Sequence, residues 1–258
     1  MIIAAQEFQR LAGFGIVSGL LVFARVGAAM VTMPGYAQGF VPVRVRLAVA
    51  FAFSGAIFPA VADKLPAPED ALDGAAMFAV ELLCGSALGM FLRLMMLALE
   101  IAGMMIAQSV SLAQMFGGSD SEPMPAVSHF LLMAGLALAA MLGLHLRVAE
   151  ALVLSYDAWP AGGVPDAAAL EAWGLNGVVV AFSLAFSLAA PFLVLATLYN
   201  FALGAINRAM PQLMVMMVGA PAVTGALLLL LGLLAPGLLS VWHGSFAAVL
   251  ADPFLAAP

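Results

Sequence analysis

Charge is the scarcest ingredient of this chain: 8 lysines and arginines and 14 aspartates and glutamates among 258 residues, or 9%. A soluble domain typically carries about 25%. Cysteine is nearly absent too. Cys84 stands alone, which excludes an intrachain disulfide and any multi-cysteine metal site. Set among Leu82, Leu83, Gly85 and Ser86, it reads as a small packing residue. The three histidines, His129, His145 and His243, have no metal-ligand spacing, and no serine or aspartate has a plausible histidine partner for catalysis. Gly117-Gly118-Ser119 lacks the strand and the lysine of a phosphate-binding loop. Basic residues are scattered singly and the net charge is -6, so nothing points to nucleic acid. The first ten residues have no basic n-region, so no cleaved signal peptide is expected. No enzyme, metal or cofactor chemistry is expected from these residues.

What remains is oil. The chain is 65% apolar, with a mean hydropathy of +1.14. A bilayer core asks for about 20 apolar residues per helix. Six runs qualify, roughly 11–33, 43–61, 75–110, 127–154, 175–203 and 213–241. The third exceeds one straight span, so it is expected to project beyond the membrane or to break. Breakers stand between runs: Pro34-Gly35, Pro66 with Pro68, Gly117-Gly118 with Pro123 and Pro125, Pro160 to Pro165, and Pro211. The expected fold class is all-α, a polytopic helical membrane protein of about six long apolar helices in a single domain, 1–258. Arg44 and Arg46 follow the first run, and Arg208 lies between the fifth and sixth. An even number of spans separates them, so they share a side, and the positive-inside rule makes it the cytoplasm.

Small residues four apart, Gly15 with Gly19, Gly85 with Gly89 and Gly135 with Ala139, suggest closely approaching helices. Seven charged or titratable residues lie within the runs or near their ends: Arg25, Glu81, Arg93, Glu100, His145, Arg147 and Glu150. Each is costly in lipid unless partnered. Arg93 and Glu100 fall on one helical face but too far apart to bond directly, whereas Arg147 and Glu150, three apart, can pair. The functional reading is an ion or proton path; the plainer reading is structural pairing. The 17 methionines, Met95-Met96, Met104-Met105 and Met210 to Met217 among them, are either adaptable core packing or a deformable seal around a channel.

The stretch from Leu198 to Leu213 is the most specific. Its Asn200, Gly204, Asn207, Arg208, Pro211 and Gln212, followed by Val218-Gly219-Ala220-Pro221, closely resemble the signature of the FliR family of type III secretion export-gate proteins. Pro42-Val-Arg44-Val-Arg46, Gly85 to Gly89, Ala102-Gly103, Gly143 with His145, and Pro160-Ala-Gly162 match further family segments in order. The resemblance implies a core subunit of the flagellar export gate in the bacterial inner membrane, at the basal body. It implies a FliP-like part joined to a FliQ-like helical hairpin, closing a pore with FliP- and FliQ-type partners and working with FlhB- and FlhA-type components. The cargo implied is unfolded flagellar protein.

By the same resemblance, the loop about Ser111 to Pro125 supplies a pore plug, with Met115, Phe116, Gly117 and Gly118 at its centre. Arg44, Arg46, Asn207, Arg208, Pro211 and Gln212 would shape the assembly. The loop departs from the family: many members read Gln-Met-Gly-Leu-Ser before it, where this chain has Gln108-Ser-Val-Ser-Leu112. Two alternatives stay open. One is a small-molecule or ion-coupled transporter, which would need a polar midplane site between related halves that the sequence does not display. The other is the virulence-injectisome paralogue.

Overall fold

The structure, a computed structural model, describes residues 2–35, 41–115, 126–209 and 215–254. They form seven α-helices: α1 (Ile2–Thr32), α2 (Val43–Val61), α3 (Ala71–Met115), α4 (Ala126–Met141), α5 (Leu144–Ala158), α6 (Ala167–Ala209) and α7 (Val215–Ala251). A 3₁₀ turn, Ala62–Lys64, follows α2. There is no strand among the described residues. Five helices are long and apolar enough to cross a membrane, or six if the α4–α5 pair is one broken span. The chain is therefore an all-α, polytopic membrane protein.

Helix starts follow local chemistry. Asp70 Oδ1 accepts the amide of Asp73 at 2.7 Å while Asp73 Oδ2 accepts the amide of Glu69 at 3.0 Å, a reciprocal cap for α3. Asp166 Oδ2 caps α6 through the amide of Ala169 at 2.9 Å. Acidic residues between the apolar runs thus start helices.

Of the two overlong or broken runs, the third takes the unbroken alternative and the fourth departs from expectation. The third run is one unbroken helix of 45 residues, about 67 Å long at 1.5 Å per residue. That is roughly twice the hydrocarbon thickness. The fourth run, expected as a single span over 127–154, breaks between α4 and α5. Gly143 sits there at φ +82, a left-handed conformation that closes one helix and opens the next. Pro59 and Pro191, by contrast, lie inside helices α2 and α6.

The chain divides into two compact units. The first comprises residues 1–94, 143–178 and 247–258 and holds α1, α2, the start of α3, α5, and the start of α6. Its core is drawn tight where α1 crosses α3. An added Cβ on Gly85 would land on the carbonyl of Arg25, and one on Gly89 would meet Ala29 and Thr32. Thr32 Oγ1, which can donate to the carbonyl of Ala28 in its own helix at 3.1 Å, also comes within 3.3 Å of the carbonyl of Ser86 across the crossing. An aromatic cluster closes the same unit. Trp173 stacks on Phe91 with centroids 4.3 Å apart and donates from Nε1 to the carbonyl of Pro253 at 2.6 Å, while Trp159 meets it edge-on.

The second unit, residues 95–142 and 179–246, holds the rest of α3, with α4, most of α6 and α7. Gly103 lets α3 run against the backbone of Ser128, whose hydroxyl donates to the carbonyl of Glu100 at 2.9 Å. Trp242 is fully buried, donates to the carbonyl of Met95 at 2.8 Å and stacks on Phe246. Replacing Trp242 by phenylalanine removes that bond and part of the packed ring. The expected loss is roughly 2 kcal/mol, read as a lower midpoint of thermal unfolding in detergent.

Candidate functional site

Apolar helices leave polar side chains few places to sit, so each buried polar group marks a decision of the fold. Arg25 of α1 and Glu81 of α3 are both fully buried in the first unit. Arg25 Nε donates to Glu81 Oε2 at 2.6 Å and Nη2 to Oε1 at 3.1 Å, the paired fork that guanidinium and carboxylate favour. The remaining donors reach α5 and the turn after it: Nη1 to Ser155 Oγ at 3.1 Å, and Nη2 to the carbonyl of Trp159 at 3.0 Å. Ser155 can accept because its own proton goes to the carbonyl of Leu152 at 2.6 Å. The ring of Tyr156 lies 3.8 Å from the guanidinium carbon, a cation–π contact in a dry place.

Glu81 is equally well held. Its Oε1 also accepts the backbone amide of Gly162 at 3.1 Å. Gly162 stands at φ +71, beside Met77 and Pro66, where an L side chain would be strained and crowded. The Pro160-Ala-Gly162 segment is thereby fastened to α1 and α3 through one ion pair. Such a cluster clamps three parts of the first unit together. Of the two readings of Arg25 and Glu81, structural pairing is the one seen.

Other in-helix charges behave differently. Arg147 and Glu150 pair at 2.9 Å as their spacing predicts, with both side chains more than half exposed, an arrangement worth at most about 1 kcal/mol. Arg93 Nε is buried with no hydrogen-bond partner among the described residues.

The family-signature residues fall in the second unit. Asn200, Gly204 and Arg208 succeed one another at intervals of four near the end of α6, so they share a face. They line a shallow depression of about 560 Å³. A smaller one of about 240 Å³ adjoins it at Asn200 and is lined also by Gln108, Ser109 and Thr197. The result is a polar strip on otherwise apolar helices, with Phe201 beside it 74% exposed. The i, i+4 spacing could have shown this strip in the sequence.

The other expected site residues are placed unevenly. Arg44 is exposed on the first turn of α2, and Arg46 is partly buried in the first unit. Asn207 lies on α6, and Met115 is the last residue of α3. Phe116, Gly117 and Gly118 of the expected plug, and Pro211 and Gln212 of the expected turn, lie outside the described residues. Sequence reasoning missed Ser155, the Trp159 carbonyl and the Gly162 amide as partners of the buried pair. It also missed Trp242, whose only signal was its rarity among 3 tryptophans.

Comparison with known proteins bears on the whole chain. The model of the family described as bacterial export proteins, family 1, matches residues 16–249. The flagellar biosynthetic protein FliR of Caulobacter vibrioides is 36% identical over 92% of this chain and 96% of its own length. The FliR of Aquifex aeolicus is 30% identical over 84% of this chain and 86% of its own, and that of Bacillus subtilis 29% identical over 78% and 80%. Near end-to-end likeness to these relatives, on an all-helical membrane chain carrying the Asn200 to Arg208 face, settles the assignment: this protein belongs to bacterial export protein family 1, the FliR family.

Proposed function

We propose that this chain, a multi-pass membrane component of the flagellar export apparatus, is a core subunit of the export gate. It closes a pore with FliP- and FliQ-type partners in the inner membrane at the basal body and admits unfolded flagellar proteins when FlhB- and FlhA-type components engage. In this reading residues 1–258 act as one gate domain, with helical hairpins resembling a FliP-like part and a FliQ-like part. Arg44, Arg46 and Arg208 face the cytoplasm. The segment from Met115 to Gly118 is the plug, and the strip from Asn200 to Arg208 leads into the turn with Pro211 and Gln212. The work is that of a conduit, without catalysis.

One observation carries the reading. Helices α3 and α6, 45 and 43 residues long, are about twice the length a bilayer requires. They are apolar over most of that length, and much of α6 is uncovered: Val194, Leu198 and Phe201 are 59%, 63% and 74% exposed. Apolar surface that outruns the lipid has to be covered by protein. A subunit of a helical assembly satisfies that demand, and a transporter working alone does not. The flagellar names of the three relatives favour the flagellar branch over the injectisome one.

Co-expression of this chain with FliP- and FliQ-type partners, followed by mass measurement of the detergent-extracted particle, tests the proposal. A stable hetero-oligomer containing this chain is expected. A chain that extracts alone whether or not the partners are present overturns it and returns the transporter reading.

A further inference from the structure

Helices α1, α2 and α3 of the first unit leave a groove of about 640 Å³ between them. Phe23 and Gly27 wall it from α1, Leu47 and Ala50 from α2, Phe78 and Leu82 from α3. The groove is open along one side, and Leu47 and Leu82 at its edge are 58% and 40% exposed. Gly27 contributes nothing to fill it: a Cβ there would have no atom within 4 Å. In this apolar wall a single charged side chain takes part, Arg46.

Arg46 is poorly served by its own chain. Its Nε is buried with no hydrogen-bond partner among the described residues, and Nη2 reaches only the carbonyl of Val41 at a long 3.4 Å. Arg44 stands exposed on the same first turn of α2. That turn follows Pro42, which supplies no side-chain cap, so the positive end of the helix dipole adds to the two guanidinium charges. A planar guanidinium with free donors matches a phosphate.

We propose that the groove binds one anionic phospholipid, with an acyl chain lying along Phe23, Leu47 and Phe78 and the headgroup phosphate on Arg46, Arg44 adding charge at the rim. An apolar slot with one cation at its end has the polarity of a lipid, tail and head. Basic pockets between membrane helices bind anionic headgroups on the same principle. The inference needs only that the chain sits in a membrane; it does not rest on the pore proposal.

The test is native mass spectrometry of the full chain, purified from nanodiscs of phosphatidylglycerol or of phosphatidylcholine and counted for retained lipid. One phosphatidylglycerol per chain is expected, held about fivefold or more over phosphatidylcholine: both offer a phosphate to Arg46, but the choline cation cancels the net charge that Arg44 and Arg46 attract. Arg46→Gln should abolish that preference. Gly27→Leu, which fills the groove and leaves Arg46 in place, should lower retention of both lipids. Arg147→Gln, on an exposed residue remote in sequence, should change nothing. Equal retention of the two lipids, or retention indifferent to both Arg46→Gln and Gly27→Leu, means adventitious annular lipid only and overturns the proposal. So does a Leu47→Cys variant that cross-links to a co-expressed partner protein with loss of the lipid, because the groove then belongs to that partner. The co-expression particle reports the gate reading separately, since its mass is set by subunits and not by one lipid.

Discussion

Replacing Glu81 by leucine is expected to destabilise the protein by about 3–5 kcal/mol, the usual result of stranding one member of a buried ion pair. Arg25 then keeps a charge in a site where it is fully buried, with Ser155 and the Trp159 carbonyl as its only remaining acceptors. Arg25→Met should be nearly as damaging, because Glu81 is left with the Gly162 amide alone. The double variant, Arg25→Met with Glu81→Leu, is the informative one. Removing both charges removes both desolvation costs, so stability should return to within about 2 kcal/mol of the parent. The residue is the cost of the unpaired Gly162 amide and Trp159 carbonyl. A thermal-unfolding cycle on the detergent-solubilised chain measures this directly. The clamp account requires strong coupling between the two substitutions; simple additivity of the two losses would refute it. A proton path through the pair makes a different forecast, with singles and double all stable and all inactive in export.

How much of this was visible beforehand differs residue by residue. Arg25 and Glu81 stand out in an apolar sequence because charge there is expensive. What one chain does not display is which distant group answers it: Ser155, Trp159 and Gly162 lie 130, 134 and 81 positions from the atoms they contact. Those partners are polar groups of ordinary type, selected by packing and not by any local pattern. Helix existence was legible because 20-residue apolar runs have few alternatives in lipid. The α4–α5 break was less so, since Leu142-Gly143-Leu144 looks like many tolerated glycines inside spans, and only the +82 φ of Gly143 distinguishes it. The Asn200, Gly204 and Arg208 face was readable from spacing, whereas Arg46 needed the groove beside it to acquire meaning. Pro59 and Pro191 would have been poor break points, because membrane helices accept proline when neighbours satisfy the freed carbonyls.

Small-residue pairs show the same limit and yield the second large effect. Gly85→Ala is expected to cost at least about 3 kcal/mol, whereas Gly19→Ala should stabilise by about 0.5–1 kcal/mol, although both glycines belong to identical-looking pairs in the sequence. At Gly85 the new methyl falls on the backbone carbonyl of Arg25, and backbone cannot swing aside as a side chain can. Helix α1 must lift from α3 at the very residue whose guanidinium holds Glu81, so a loss of packing becomes a loss of the ion pair. At Gly19 nothing lies within 4 Å of the new methyl, and the substitution simply exchanges a poor helix former for the best one. Gly103→Ala makes an independent companion in the second unit, where the methyl would meet the backbone of Ser128. Unfolding midpoints in one detergent should rank Gly19→Ala above the parent and Gly85→Ala and Gly103→Ala well below it. Equal small shifts at all three positions would mean that the α1–α3 and α3–α4 crossings are looser than this fold requires, and the clamp around Arg25 would lose its geometric basis with them.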